Sequence, residues 1–329
     1  KRLLETGVNP NEPLYQHDDD EIVLPLCEAL HGHAALVPVL LEYGADPSGD
    51  GEDAIPLMKA FGWSPDSAQL VHLLLDAGAN PFIEDSCSGS TPLLDAVVHG
   101  YYRVVTRLLN MGVNPNPDGE DIWHLPLTQA IADSDVGLVR ELLDAGASPF
   151  LIPSDCVTWD TDGQSPLYMA EYEFRSNARL PYREAEDKRR RKHSRRVLES
   201  IYERYPDIDR LPIPDHWEPH TDNPAYFNAS LWNTAAYGRR ESAVTLLHYH
   251  NASPNACNSA GIPALVIAAA RGHADVVYEL LCYGATPELP APLLAAAGCQ
   301  GDVDEEIRRL IRCFAPTAHG STTSTIIPV

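Results

Sequence analysis

Three short clusters in this chain set an indole beside a group able to move a proton: Trp123-His124, Trp159-Asp160 with Asp162, and His216-Trp217 with His220. An imidazole and a carboxylate within reach of one substrate can act as general acid and base. A tryptophan in a loop is an apolar liability unless it is covered or binds something. Trp123 and Trp159 fall on neighbouring segments, so they could share a pocket wall, with the stretch around Trp217 as its roof. On that reading His124 and Asp162 are the acid–base pair, acting on a small molecule. The plainer reading has the tryptophans burying long irregular loops. No stronger catalytic pattern is present: there is no Gly-x-Ser-x-Gly, no phosphate loop, no His-Glu-x-x-His and no dinucleotide fingerprint. Neither a cofactor nor a metal is expected.

The elements that must carry these residues follow from a period. Gly-x-Asx-Pro turns occur at Gly7-Val8-Asn9-Pro10, Gly44-Ala45-Asp46-Pro47, Gly78-Ala79-Asn80-Pro81 and Gly112-Val113-Asn114-Pro115. Gly146-Ala147-Ser148-Pro149 and Gly284-Ala285-Thr286-Pro287 continue them, and Asn251-Ala252-Ser253-Pro254 has Asn251 in the glycine's place. The first five are 37, 34, 34 and 34 residues apart, the last two 33. Such a period implies stacked copies of one supersecondary unit, each burying its apolar face on its neighbours. In the unit from Thr91, Thr91 is placed to cap a helix and Pro92 to occupy its first position. Gly100 ends that helix. A second helix over Val104–Leu109 stops at Gly112, which supplies a left-handed C′ residue.

Thr91-Pro92-Leu93, Ala268-Ala269-Ala270-Arg271-Gly272-His273, Val277-Tyr278-Glu279-Leu280-Leu281 and Gly44-Ala45-Asp46 resemble the marks of the ankyrin-repeat family. The resemblance covers most of the chain. It implies an all-α solenoid of stacked helix-turn-helix units with finger loops, and a protein that holds a protein partner with its fingers and concave helix face. The histidine that normally follows Thr-Pro-Leu is absent: Cys27, Met58, Leu94, Thr128, Tyr168 and Trp232 stand there. This departure bears on the stability of single repeats, not on the architecture.

The expected organisation is one array over residues 1–315. A partial repeat (1–21) precedes repeats near 22–53, 54–89, 90–124, 125–163, 164–209, 229–261 and 262–290, and a charged C-terminal cap spans 291–315. Insertions are expected near 173–196 and 206–228, and long insertions in a compact array are often functional. The chain opens as if inside a second helix, so it reads as a piece of a longer protein, and 316–329 reads as a disordered tail.

Net charge is −23. Residues 175–196 carry about +7, which leaves about −30 for the rest. The acids gather in the finger loops, at Asp53, Glu84, Asp85, Glu120, Asp121, Asp160 and their neighbours. Aligned fingers would make an acidic ridge that attracts a basic partner and repels nucleic acid. Acidic turns that simply keep an array soluble are the alternative. The expected binding set is Asp53, Glu84, Asp85, Glu120, Asp121, Trp123, His124, Trp159, Asp160 and Trp217. Lys188-Arg189-Arg190-Arg191-Lys192-His193-Ser194-Arg195-Arg196 resembles a nuclear-localisation tract, or serves as a solvated helix offsetting the acidic body. Seven scattered cysteines without a Cys-x-x-Cys pair read as reduced thiols of the cytosol or nucleus. No apolar run reaches the roughly 18 residues of a membrane span.

Overall fold

The computed structural model describes residues 2–15, 22–49, 55–62, 66–85, 88–117, 124–152, 165–179, 185–211, 224–299 and 301–315. The chain divides into two compact units, Lys1–Pro206 and Asp207–Val329.

Unit 1 begins with α1 (Arg2–Glu5) and a short antiparallel pair, β1 (Leu14–Tyr15) with β2 (Ile22–Val23), in register Leu14 to Val23. Helix pairs follow: α2 (Pro25–Gly32) with α3 (Val37–Glu42), and α4 (Pro56–Lys59) with α5 (Ser67–Asp76). Next come α6 (Pro92–Val98) with α7 (Tyr102–Asn110), then α8 (Pro126–Ala132) with α9 (Val136–Asp144). The last pair is longer, α10 (Pro166–Arg179) with α11 (Ala185–Arg204).

The first helices stack on one another from α2 through α4, α6 and α8 to α10. Their cohesion is legible in one pattern. Each opens with Pro-Leu, proline costing nothing where the amide has no intrahelical acceptor. The leucines (Leu26, Leu57, Leu93, Leu127 and Leu167) are all buried, as are Ala29, Ala60, Ala96, Ala130 and Ala170 three residues on. An i, i+3 stripe of Leu and Ala faces the core, and each leucine contributes about 1.5–3 kcal/mol by burial. Thr91 caps α6, its hydroxyl accepting from the Leu94 amide at 3.2 Å.

The Gly-x-Asx-Pro turns have a common geometry. Gly7, Gly44, Gly78, Gly112, Gly146 and Gly284 all have φ between +85° and +95°, and Asn251 takes the same left-handed region at +51°. Asparagine is among the few other residues that tolerate it. The following Asx or Ser side chain then accepts from the amide two residues on, as Asn80 does from Phe82 at 3.0 Å. A second asparagine ties repeats together. Asn116 donates to the Gly146 carbonyl at 3.0 Å and accepts from the Ser148 amide at 2.6 Å. Asn11 makes the same pair of bonds to Gly44 and Asp46.

Unit 2 repeats the plan with α12 (Pro224–Ala236) and α13 (Arg240–His248), α14 (Ala264–Ala270) and α15 (Ala274–Cys282), then α16 (Ala291–Ala296) and α17 (Glu305–Phe314). Leu231 and Leu265 hold the core leucine's place, and Asn255 accepts from the Thr286 amide at 2.8 Å.

The positions where the histidine is missing are filled from within. Cys27, Leu94, Thr128, Tyr168 and Trp232 are buried. Among the described residues, the Thr128 hydroxyl and the Trp232 indole N–H are buried without a hydrogen-bond partner.

Candidate functional site

Of the residues expected to bind or react, Glu84, Asp85 and His124 lie within the described residues, and the structure brings them together. Asp53, Glu120, Asp121, Trp123, Trp159, Asp160, Asp162 and Trp217 lie outside them, with His216, His220 and the 316–329 tail. The wall of indoles and the His124–Asp162 pair are therefore not placed.

The finger between α5 and α6 is closed by its own backbone. The Asp85 amide donates to the Ser90 carbonyl at 2.9 Å, and the Gly89 amide donates to the Asp85 carbonyl at 2.7 Å. Gly89 stands at φ +64°, a conformation L side chains rarely adopt. A methyl group on it would meet His124 Nε2 at 3.6 Å and Glu84 Oε1 at 3.8 Å, so both side chains converge on this turn. His124 reaches it from the next repeat, just before α8, and its Nε2–H donates to the Ser88 carbonyl at 2.9 Å.

Asp95, on α6, completes the cluster. Its Oδ1 accepts from the Ser90 hydroxyl at 2.7 Å, which joins the helix to the finger. Burial raises its pKa above the ordinary carboxylate value; the Ser90 hydrogen bond and His99 oppose that shift, and the charge of Asp85 adds to it. One helical turn later His99 Nδ1 donates to the Asp95 backbone carbonyl at 2.9 Å. The His99 ring lies among aromatic neighbours, 5.5 Å from Tyr101 and 6.2 Å from Phe61 between centroids. Tyr101 in turn donates its hydroxyl to the Gly62 carbonyl.

The result is a group of three carboxylates (Glu84, Asp85, Asp95) at the start of α6 and, at the other end of that helix, a packed set of aromatic rings from Phe61, His99 and Tyr101. It offers acceptors and π faces, the chemistry that receives a cation. The acidity is local: Lys59 on α4 and Gln129 on α8 stand where α6 has Asp95. Ser90, Asp95, His99, Phe61 and Tyr101 were not among the expected site residues. The signal for Asp95 and His99 was their spacing of four on a helix whose cap, Thr91, was legible.

Other singled-out residues have structural partners. His31 Nδ1 donates to the Cys27 carbonyl at 3.1 Å, and His273 Nε2 to the Ala236 carbonyl at 3.1 Å. The basic run lies on α11. There Arg191 Nε donates to the Asn177 carbonyl at 3.0 Å, Arg195 pairs with Glu199 at 2.8 Å, and Lys188, Arg189, Lys192 and Arg196 are exposed. Among the described residues, no group of His, Cys, Asp and Glu side chains is arranged to hold a metal ion, and no helix is long and apolar enough to cross a membrane.

Comparison with protein-family models gives two matches. A model of ankyrin repeats in three copies matches residues 26–119, and one of ankyrin repeats in many copies matches residues 234–281. Between them, α8 and α10 show the same buried Pro-Leu-x-x-Ala pattern at Pro126 and Pro166. No curated protein matches the chain.

Proposed function

We propose that this ankyrin-repeat protein is an interaction module that receives a basic segment of a protein partner on the finger between α5 and α6, the third finger of unit 1, and the adjoining face of α6. Ankyrin repeats generally mediate protein–protein interaction, so what remains is the chemistry of the partner. One observation carries the reading: the convergence of Glu84 and His124 on Gly89, with Asp95 bonded through Ser90 to the same finger. The finger is anchored at both sides, to α6 by the Ser90–Asp95 bond and to the next repeat by the His124–Ser88 bond, so its carboxylates are held without a partner's help. Preorganisation of this kind lowers the ordering cost of binding.

Exposed ion pairs contribute about 0.2–1 kcal/mol each. Three carboxylates therefore select and orient a basic partner, while affinity comes from a larger contact of roughly 800 Å² per side. The test is a fluorescence-anisotropy titration of the full chain with a labelled lysine- and arginine-rich peptide. The neutralised chain E84Q/D85N/D95N should bind it at least tenfold more weakly while melting normally, and binding should weaken as salt rises. Equal affinity of the two chains overturns the proposal.

A further inference from the structure

Unit 2 carries an open groove of its own, lined by Arg240, Gly272, Asp275, Tyr278, Glu306 and Leu310, with a volume of about 590 Å³. It lies where α13, α15 and α17 start, on the second-helix side of the repeats and not on the fingers. Arg240, the one cation lining it among the described residues, is already engaged: its guanidinium binds Glu279 Oε1 through Nε at 2.9 Å and through Nη2 at 2.5 Å.

Two carboxylates remain, Asp275 and Glu306, and no ion pair among the described residues involves either. Both sit in the first turn of a helix that borders the groove, and with Arg240 matched by Glu279 they leave its lining with a formal excess of negative charge. The Tyr278 ring, which lines the same groove, is 46% exposed and makes a T-shaped contact with Phe314, with ring centroids 6.2 Å apart and planes at 82°. Gly272, which also lines the groove, adds no side chain, and a Cβ built on it would meet nothing within 4 Å.

We infer that this groove is a second docking surface, which takes an arginine or lysine side chain of a partner polypeptide between Asp275 and Glu306, over the face of Tyr278. Charge complementarity sets the sign of the occupant. The oriented ring beside two carboxylates sets its chemistry, because a cation over an aromatic face gains from the ring quadrupole and from the flanking charge together. Leu310 gives the stem of such a side chain an apolar contact.

The experiment uses the full chain and a labelled arginine-containing peptide. It combines anisotropy titration with a hydrogen-exchange footprint of the saturated complex. Protection over residues 272–280 and 305–311 is expected. Tyr278→Ala should weaken the component assigned to this groove about tenfold while Tyr278→Phe keeps it, because the ring and not the hydroxyl makes the contact. D275N/E306Q should weaken it similarly, with unchanged melting. Protection confined to the third finger overturns this inference and leaves the proposed function standing. Protection here alone does the reverse. A peptide that binds Tyr278→Ala as tightly as the parent chain, or that protects neither region, overturns the groove as a docking surface.

Discussion

His124 Nε2 lies 2.9 Å from the carbonyl oxygen of Ser88, a residue one repeat earlier in the chain. The imidazole is thus a strut between a helix start and the preceding finger, and the same ring approaches Gly89 beside Glu84. With the Ser90–Asp95 bond on the other side, this contact fixes the acidic finger of unit 1 between two repeats.

Removing that strut should loosen the finger and leave the helices in place. His124→Ala is expected to cost about 1 kcal/mol, the usual net worth of one hydrogen bond. It should also speed amide exchange at Gly89 and Ser90 while the amides of α6 and α8 keep their protection. Uniform loss of protection through the unit would assign His124 to the core instead.

Burial raises the pKa of Asp95, so the folded chain holds this proton more tightly than the unfolded chain does. The stability linked to protonation is fully present below the ordinary carboxylate value of 3.8, and it is lost as pH rises through the raised folded-state pKa. Asp95→Asn keeps an acceptor for the Ser90 hydroxyl and removes the charge. At pH 7 the variant should melt at or above the temperature of the parent chain, and the difference should vanish below pH 3.8. A variant less stable at pH 7 and equal in acid would reverse the sign. Since the same substitution weakens binding in the proposed function, site and fold separate here.

Thr128 is fully buried, and its hydroxyl has no hydrogen-bond partner among the described residues. Valine has nearly the same shape without the stranded oxygen. Thr128→Val should therefore stabilise unit 1 by about 1–3 kcal/mol, read as a higher denaturant midpoint with an unchanged slope. A lower midpoint would mean that the hydroxyl is satisfied in solution, by a bound water for example.

The fold was legible because its determinants are local and repeated. A left-handed residue between a helix and a turn demands Gly or Asn, so Gly44, Gly78, Gly112 and Asn251 mark the same point in each unit. A Pro-Leu opening with Ala three residues on marks each core stripe from α2 to α10 in unit 1. The site was less legible because its bonds join residues far apart in sequence. His124 and Ser88 are separated by 36 positions, so the ring reads in isolation as an acid–base candidate. Asn11 and Asn116 bond to Gly44 and Gly146, 33 and 30 positions further on, and nothing local in the sequence marks them for it. Asp95 reads as an ordinary helix acid, because nothing local shows that Ser90 bonds to it and that the fold half-buries it. Glu84 and Asp85 were visible because consecutive acids in a finger loop have few structural duties to explain them.

The most direct test of the account reverses the charge of Glu84 and Asp85 and asks whether preference reverses with it. E84K/D85K should bind the basic peptide at least tenfold more weakly than the parent chain. It should also gain affinity for a matched peptide whose lysines and arginines are replaced by glutamates. Both effects should fade at high salt, as screening of surface charge requires. If the reversed chain binds the basic peptide as the parent does, the third finger is not where a basic partner is held.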